Sequence, residues 1–264
     1  MPDRISFSFG SNWQKYLDVL PPSAVEAMRQ YLKAWLGDIK GRSLVDIGSG
    51  SGLVGYAAHE LGASPITTFD VDPESVEATA RMRARAGNPN DWRHGPGSIL
   101  DDEFVADIGT FDVVCSWGVL HHTGDVWHAI ENAARLVAAG GRLFIALYTK
   151  THWSERSLRT KRLYNRTPYP LKPLFRLSWA APKLAKMAVR RDFGRLRRQD
   201  QRGMIFWRDV EDWLGGLPYQ PLGPGEVLER LRPLGFTLER LEDALGEGGN
   251  DVYLFRLGGP GAGS

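Results

Sequence analysis

The chain has 264 residues, of which 42% are hydrophobic and 24% charged, and its formal net charge is +2. This composition excludes a disordered, collagenous or coiled-coil protein and leaves a globular chain long enough to bury a core. The single cysteine, Cys115, excludes an internal disulfide and a cysteine-rich metal site. The sequence has no membrane-length apolar run and no secretory signal layout at its start, so we expect a cytoplasmic protein.

The chain begins with two predicted helices and then alternates strands with helices. Ser11 is expected to cap a helix over 12–20, and Ser23 a helix that stops at Gly37. Strands are predicted over 43–47, 65–70, 92–94, 111–116 and 142–148, with helices over 53–61, 73–86 and 126–137, the last stopped by Gly140 and Gly141. Short strand–helix connections of this kind indicate a mostly parallel sheet with helices on both faces.

The remaining chain completes this sheet after a basic segment. Helices are predicted over 206–214 and 225–231, followed by strands over 236–241 and 252–257 that a glycine-rich linker at 246–249 joins. Two strands joined in this way form an antiparallel hairpin. We therefore expect five segments: an N-terminal helical part (1–40), a ligand-binding core (41–149), a helical insertion (150–205), a completion of the core (206–258) and a flexible tail (259–264).

A glycine-rich loop follows the first predicted strand and can be aligned to two patterns. Gly50, Gly52 and Gly55, with Asp70 at the end of the second strand, satisfy the dinucleotide-binding pattern. Gly48, Gly50 and Gly52 form a second pattern, in which Asp46 comes directly before the loop. Glycines here permit a tight turn and close approach of the backbone to a ligand.

Electrostatics distinguishes the two patterns. A pyrophosphate bound at this loop would lie close to the Asp46 carboxylate, and like charges at short range repel. S-adenosylmethionine (SAM) has no phosphate and carries a sulfonium and an ammonium group, so a carboxylate at this position favours SAM over NAD. Asp70 could also serve as a turn residue, whereas Asp72 is predicted to cap the helix that begins at Pro73.

Three segments carry a resemblance to a known family: Val45 to Gly52 (VDIGSGSG), Phe69 to Asp72 (FDVD) and Phe111 to His122 (FDVVCSWGVLHH). Over residues 43–148 the chain resembles the class I SAM-dependent methyltransferases, in particular small-molecule members similar to the ubiquinone-biosynthesis O-methyltransferases. The resemblance implies a doubly wound, mostly parallel, Rossmann-like α/β sheet of seven strands with an antiparallel terminal hairpin and a helical insertion. It also implies that SAM is the cofactor and S-adenosyl-L-homocysteine its product.

The resemblance assigns residues to the cofactor. The loop from Gly48 to Gly52 would surround the methionine part, and Asp70 would accept hydrogen bonds from both ribose hydroxyls. Ser98 occupies the position at which many family members have an acidic residue that contacts the adenine. The expected cofactor-binding residues are Asp46, Gly48, Ser49, Gly50, Gly52, Asp70, Val71, Ser98, Ile99, Ser116 and Trp117.

Two adjacent histidines, His121 and His122, follow the fourth strand at the sheet edge where such folds bind ligands. Transfer of a methyl group to a hydroxyl requires loss of its proton, and histidine is the residue suited to that task near neutral pH. We expect at most one of them to face the acceptor. We prefer His122 as the residue that removes the proton, and His152 is a second candidate for this role. The alternative is that both only bond the loop backbone. The histidine spacing shows no metal-ligand pattern.

The insertion is strongly basic. Residues 150–202 hold 16 Lys and Arg against 3 Asp and Glu, including Arg190–Arg191 and Arg197–Arg198. Leu174, Leu177, Ala181, Leu184 and Ala188 fall at helical spacing, interrupted by Pro182. The insertion has three possible roles. It could be a cap that packs this apolar stripe on the body, a peripheral membrane contact, or a binding surface for an anionic partner. A nucleic-acid partner is not expected.

The leading prediction is a SAM-dependent methyltransferase that acts on a small molecule, preferentially at oxygen. The alternatives are an NAD-dependent oxidoreductase, favoured only by the dinucleotide pattern, and a methyltransferase for a lipid-like substrate at the membrane surface. A SAM-binding module without transfer activity is the non-enzymatic alternative. The sequence gives no information on the acceptor's identity or on oligomeric state.

Overall fold

A computed structural model describes residues 10–192, 194, 206–244 and 249–259 of the chain. The elements are α1 (Gly10–Asp18), α2 (Pro22–Leu36), β1 (Leu44–Ile47), α3 (Leu53–Glu60), β2 (Ile66–Asp70), α4 (Pro73–Arg85), β3 (Trp92–Pro96), α5 (Asp102–Ile108), β4 (Phe111–Trp117), a 3₁₀ turn (Leu120–His122), α6 (Val126–Arg135), β5 (Val137–Tyr148), α7 (Ser154–Arg166), a 3₁₀ turn (Tyr169–Leu171), α8 (Lys172–Val189), α9 (Phe206–Gly215), α10 (Pro224–Leu231), a 3₁₀ turn (Arg232–Leu234), β6 (Phe236–Glu242) and β7 (Asn250–Leu257). The predicted Arg197–Arg198 run, most of the 246–249 linker and most of the 259–264 tail lie outside the described residues.

Seven strands form one sheet in the order β3-β2-β1-β4-β5-β7-β6. Strands β1 to β5 are parallel, and β7 runs antiparallel between β5 and β6. The predicted fold class is therefore confirmed, including the terminal hairpin. The strand order reverses direction between β1 and β4, and in open α/β sheets the ligand crevice lies outside the carboxyl ends of the strands at that point.

Alternate side chains of the buried strands supply two cores, one on each face of the sheet. Val45 and Val114 belong to the core under α5, α6 and α10, whereas Leu44 and Cys115 belong to the core under α1 to α4. Strands buried on both faces are nearly continuously apolar, as parallel strands must be. Cys115 is accordingly a core residue, and burial raises the pKa of its thiol well above the usual value.

The basic insertion forms a separate helical layer. Helices α7, α8 and α9 pack around Tyr164, Ala180, Val210 and Leu214. Helix α9 therefore packs with the insertion, although the predicted segment boundary at 205 placed it with the completion of the core. Its aromatic side chain Trp213 stacks on Trp179, with ring centroids 4.6 Å apart.

Helix α8 presents a different face to the body from the one its sequence suggested. Of the predicted apolar stripe, Leu174, Leu177, Ala181 and Ala188 are exposed and only Leu184 is half-buried, while Ala180 and Met187 are the buried residues. The helix also continues through Pro182, which the sequence interpretation took as an interruption. Pro182 lies on the exposed side, where water can bond the carbonyl that loses its amide partner.

Three local predictions were wrong in detail. Helix α2 begins at Pro22 after an extended Pro21 with no side-chain cap, so Ser23 does not cap it. Helix α6 ends at Arg135, and Gly140 and Gly141 lie inside β5, which pairs Val137 with Phe111 and so starts earlier than predicted. Helix α5 was missed, although the Asp101 side chain caps it by accepting from two backbone amides.

Gly55 of α3, the third glycine of the dinucleotide pattern, is explained by packing and does not require a bound dinucleotide. A Cβ at this position would lie 2.7 Å from Cζ2 of Trp92 and 2.9 Å from Cγ2 of Thr68. Alanine normally stabilises a helix by about 1 kcal/mol relative to glycine, but here overpacking should reverse the sign. We expect Gly55→Ala to lower the free energy of unfolding by about 1–3 kcal/mol.

Gly225→Ala in α10 is the matched control, because nothing lies within 4 Å of the added Cβ. This substitution should be neutral or stabilising. Equal effects of both substitutions in denaturant unfolding would contradict this account of Gly55.

Candidate active site

A cavity of about 280 Å³ opens at the carboxyl ends of β1, β2 and β4, where the strand order predicts a ligand crevice. Its walls come from the sheet edge, from α1 and α2 on one side and from α9 on the other. The lining residues are Trp13, Met28, Asp46–Ser51, Leu53, Val54, Phe69–Asp72, Ser75, Gly97–Leu100, Trp117–Val119, His121–Thr123, Tyr148, Asp212, Trp213, Leu217 and Asn250.

The glycine loop owes its shape to positive backbone dihedrals. Gly48, Gly50 and Gly52 have φ values of 70°, 52° and 77°, which residues with a side chain rarely adopt. Space is equally restricted, since a Cβ on Gly48 would lie 2.5 Å from the Val119 side chain and one on Gly50 2.9 Å from Nε1 of Trp13. Glycine is therefore required at these positions by both conformation and contact.

Asp70 fixes this loop from the end of the neighbouring strand. Its Oδ2 accepts a hydrogen bond of 3.0 Å from the amide of Gly50, and its Oδ1 accepts one of 2.9 Å from the amide of Asp72. Each carboxylate oxygen has a second lone pair, so the hydroxyl bonds expected of Asp70 remain possible. Burial raises the pKa of Asp70. Asp72 caps α4 as predicted, accepting from the amide of Glu74, and also accepts from the amide of Gly10.

Asp46 lies at the back of the cavity with an exposed fraction of only 2%, and its Oδ2 has no hydrogen-bond partner in the described structure. Burial, and then the neighbouring charge of Asp70, raise the pKa of Asp46 to about 7. Among the lining residues of the cavity there is no Lys or Arg. Asp46 and Asp70, with Asp72 and Asp212 further along the lining, thus give one largely apolar cavity several carboxyl groups and no Lys or Arg, which makes it a site for a positively charged ligand.

The remaining predicted cofactor residues divide into those that line the cavity and those that do not. Val71, Ser98, Ile99 and Trp117 line it, and the Ser49 backbone does so while its hydroxyl bonds Thr79. The Ser98 hydroxyl accepts from the amide of Leu100 and shapes that turn.

Gly52 and Ser116 lie outside the cavity lining, contrary to their assignment to the cofactor. Gly52 is the residue before α3 and packs against Thr79, where a Cβ would lie 2.8 Å from the Thr79 Cα. The Ser116 hydroxyl donates to the Ile47 carbonyl within the sheet. Both residues support the loop from behind.

The two adjacent histidines hold opposite tautomers. His121 is 1% exposed and its Nδ1 accepts a hydrogen bond of 3.1 Å from the Tyr148 amide, which places the proton of the neutral ring on Nε2. In His122, Nδ1 lies 2.6 Å from the Pro218 carbonyl and must donate to it, which leaves the lone pair on Nε2. His121 therefore presents a donor and His122 an acceptor.

Burial keeps both rings neutral. It lowers the pKa of His121 well below the usual value, and it lowers that of His122 to about 4, with the charge of Lys161 acting in the same direction. Of the two, only His122 holds the tautomer that can take a proton at Nε2, which agrees with the preference for it. His152 lies outside the cavity lining and stacks beside Trp153 at 4.6 Å.

Sequence reasoning missed several residues of the cavity because they come from distant parts of the chain. Trp13 of α1 covers Gly50, and Asn12 donates a hydrogen bond of 2.6 Å to the Asp212 carboxylate of α9, so the two helices meet at the cavity. Asn250 pairs with Tyr148 in the sheet and its Oδ1 is buried without a partner in the described structure. Trp213 of α9 also lines the cavity. No periodicity in the sequence identifies residues that reach the cavity from distant segments of the chain.

The chain resembles methyltransferases in sequence. Residues 45–143 match a family model described as a methyltransferase domain. A ubiquinone biosynthesis O-methyltransferase from Xanthomonas oryzae pv. oryzae (strain PXO99A) is 30% identical over 138 residues, covering 52% of this chain and 54% of the relative. The corresponding protein of Rhizobium etli (strain CIAT 652) is 29% identical over 113 residues, 43% of this chain and 44% of the relative. The chain thus spans about half the length of the curated relatives it matches.

Solved structures share the fold at low identity. A magnesium protoporphyrin IX methyltransferase from Synechocystis PCC 6803 with bound SAH has a TM-score of 0.52 at 14% identity, covering 89% of this chain and 82% of that one. An O-methyltransferase family protein from Burkholderia thailandensis has a TM-score of 0.56 at 14% identity, covering 90% of this chain and 56% of that one. These likenesses establish a class I methyltransferase fold.

The buried Asp46 carboxyl predicts an unusual pH dependence of stability. Its pKa is higher in the folded than in the unfolded chain, so its contribution destabilises the free protein progressively as pH rises from about 4 to 7. We expect Asp46→Asn to raise the free energy of unfolding by about 1–3 kcal/mol at pH 8 and by clearly less at pH 5, where only part of the penalty has developed.

Asp112 provides a control of opposite sign. Its carboxylate accepts from the Ser43 amide and hydroxyl, which lowers its pKa, so Asp112→Asn should destabilise the protein at pH 8. Denaturant unfolding at both pH values measures each effect. Destabilisation by Asp46→Asn at pH 8 would mean that the carboxylate is compensated in the free protein.

Proposed function

We propose that the chain transfers a methyl group from SAM to a small-molecule acceptor. The match of residues 45–143 to a methyltransferase domain and the class I methyltransferase fold support this proposal. The observation that carries this proposal is the buried carboxyl group of Asp46 beside the half-buried carboxyl group of Asp70, at one cavity whose lining has no Lys or Arg. SAM is a nucleoside that brings positive charge to such a site.

The cavity residues fit SAM and its product, S-adenosyl-L-homocysteine. Asp70 can bond ribose hydroxyls through its remaining lone pairs, and the glycine loop allows the methionine part to lie on the backbone. Asp46 supplies the unpartnered carboxyl oxygen for the positive groups. Val71, Ser98 and Ile99 form the wall where the adenine would bind. When bound, SAM supplies an activated methyl group on a cationic sulfur.

The NAD-dependent alternative is not favoured. A pyrophosphate at this loop would bring two further negative charges next to Asp46 and Asp70, and the cavity lining offers no Lys or Arg to balance them. Gly55, which completed the dinucleotide pattern, is explained by its contact with Trp92.

We infer an oxygen acceptor from the histidine pair. A hydroxyl can donate its proton to Nε2 of His122, while Nε2–H of His121 is a buried donor without a partner in the described structure. Tyr148, Trp117 and Trp213 surround this half of the cavity with aromatic rings, which bind the apolar part of an acceptor and exclude water. In a methyl-transfer displacement, the main tasks of the protein are to align the donor with the acceptor and to exclude water. The O-methyltransferase relatives support the same acceptor atom.

Calorimetric titration with SAM and with NAD at pH 6 and pH 8 tests the proposal. Binding of a cation requires ionised Asp46, so SAM affinity should rise by up to about tenfold between pH 6 and pH 8. Asp46→Asn should bind SAM more weakly and should lose the pH dependence of SAM affinity.

Asp70→Ala should weaken SAM binding more than tenfold at both pH values. Binding of NAD in the absence of SAM binding would refute the proposed function.

We further propose that the insertion contacts an anionic membrane surface, as the sequence suggested. In the described residues no helix is long and apolar enough to cross a membrane. Most large hydrophobic side chains that are exposed in the described structure nevertheless lie on the insertion: Trp153, Leu163, Tyr169, Leu171, Leu174, Leu177 and Val189. Four of them lie on helices that also carry Lys and Arg, Leu163 on α7 and Leu174, Leu177 and Val189 on α8. Apolar side chains among cations suit a surface of anionic lipid.

Co-sedimentation with phosphatidylcholine vesicles, with and without phosphatidylglycerol, tests this contact. We expect binding only to the anionic vesicles, weakened at high salt, and a several-fold loss for the double variant Leu174→Ser and Leu177→Ser. Leu234→Ser is the control, since Leu234 is similarly exposed but lies next to β6. Equal binding of the double variant and the control would contradict the proposed surface.

A further inference from the structure

One fully buried charged side chain lies beside the acceptor half of the cavity and has no part in the chemistry described so far. Lys161 of α7 is completely inaccessible, and no carboxylate of the described residues lies within ion-pair distance of its Nζ. A buried lysine without a salt bridge is rare and costly. Its surroundings must therefore stabilise it in other ways.

The stabilising groups lie in or next to the walls of the acceptor half. Nζ donates to the Trp213 carbonyl at the end of α9 and lies 4.4 Å from the Trp213 ring, 4.9 Å from that of Tyr219 and 5.7 Å from that of Tyr148. A cation at the end of a helix and over aromatic faces gains favourable interactions from both. Two of these residues, Trp213 and Tyr148, also line the cavity, and Tyr219 packs against Tyr148.

A continuous set of contacts leads from Lys161 to the histidines. Asn165, one turn along α7, donates to the Leu214 and Gly215 carbonyls. The next residue, Gly216, lies so close to the His122 ring that a Cβ would be 3.0 Å from its Cε1. The chain then reaches Pro218, whose carbonyl fixes the His122 tautomer, and Gln220, whose amide donates to the His121 carbonyl.

We propose that Lys161 is the positioning residue of the acceptor site. From the insertion it holds segment 213–220 against the histidine pair, and it places an ammonium group near the His122 ring. Lys161 itself does not line the cavity, so it acts through His122 and not on the acceptor directly. This role rests on the methyl transfer proposed above.

The charge balance of the transfer gives Lys161 a second effect. The acceptor's O–H bond breaks as an N–H bond forms at Nε2 of His122, and the electron pair left on oxygen forms the new bond to carbon. SAM, when bound, would supply the methyl carbon and keep the electron pair of the broken C–S bond. His122 then carries a positive charge near Lys161, and like charges repel. The product imidazolium is therefore short-lived and returns its proton readily.

The charged and titratable groups around Lys161 are Asp212 on α9, His121 and His122 after β4, Tyr148 on β5 and Tyr219 in the 216–220 segment. Burial lowers the pKa of Lys161 to about 7, an effect that the Asp212 carboxylate partly offsets. The ammonium is present over the lower part of the neutral range and is lost as pH rises through this value. Its effect on His122 is therefore greatest below about pH 7.

Nuclear magnetic resonance of the histidine rings in the full chain tests the proposal without a known acceptor. With signals assigned through His122→Gln, we expect Lys161→Met to move the titration of His122 upward by about one pH unit. Lys161→Arg, which keeps the charge, should leave it near the wild-type value. Asn165→Ala, which removes contacts of the same helix to α9 without a change of charge, is the matched control and should not move it.

Calorimetry with SAM separates failure of this proposal from failure of the proposed function. Each variant should bind SAM as the wild type does, because Lys161 and Asn165 lie away from the glycine loop, and unchanged binding also shows that the variants fold. An unchanged His122 titration in Lys161→Met, with SAM binding intact, would overturn the role of Lys161. Absence of SAM binding in the wild type would overturn the proposed function and leave the titration result valid.

Discussion

The organisation of the site depends on a carboxyl group that the fold buries without a partner. Asp46 lies at the end of β1 between two apolar strands, and Asp70 at the end of β2 adds a second negative group to the same cavity. Burial of each raises the energy of the free protein, and the described cavity lining offers no Lys or Arg to balance the two charges. A fold retains such a feature where a ligand compensates it, and a ligand with positive charge and no phosphate is the chemical class that does so.

The rest of the molecule completes a cavity around that edge of the sheet. On the cofactor side, α1 lies over the glycine loop, with Trp13 against Gly50 and the Gly10 amide bonded to Asp72. On the acceptor side, α9 brings Asp212 and Trp213 to the cavity. The hydrogen bond from Asn12 to Asp212 connects these two covers across it. Elements separated by 200 residues thus enclose a single site.

The insertion connects two surfaces of different character. Its inner side holds Lys161 and Asn165 against α9 and so against the histidine pair, while the outer side of α8 exposes Leu174 and Leu177 among cations. A contact made on the outer side would act on the same helices that position the acceptor. The physical link is rigid packing around Tyr164 and Leu214.

Local patterns in the sequence determined the parallel sheet, the glycine loop and the two carboxylates near the carboxyl ends of β1 and β2, because these features depend on neighbouring residues and strand periodicity. The acidic residue before the glycines was sufficient to favour a cationic ligand over a dinucleotide. The tertiary structure alone decided which histidine carries a lone pair, since that depends on the Pro218 carbonyl 96 residues away. It also decided that α8 turns Leu174 outward, that Trp13 and Trp213 reach the cavity and that Lys161 is buried. Such outcomes follow from packing between distant segments, to which local spacing is insensitive.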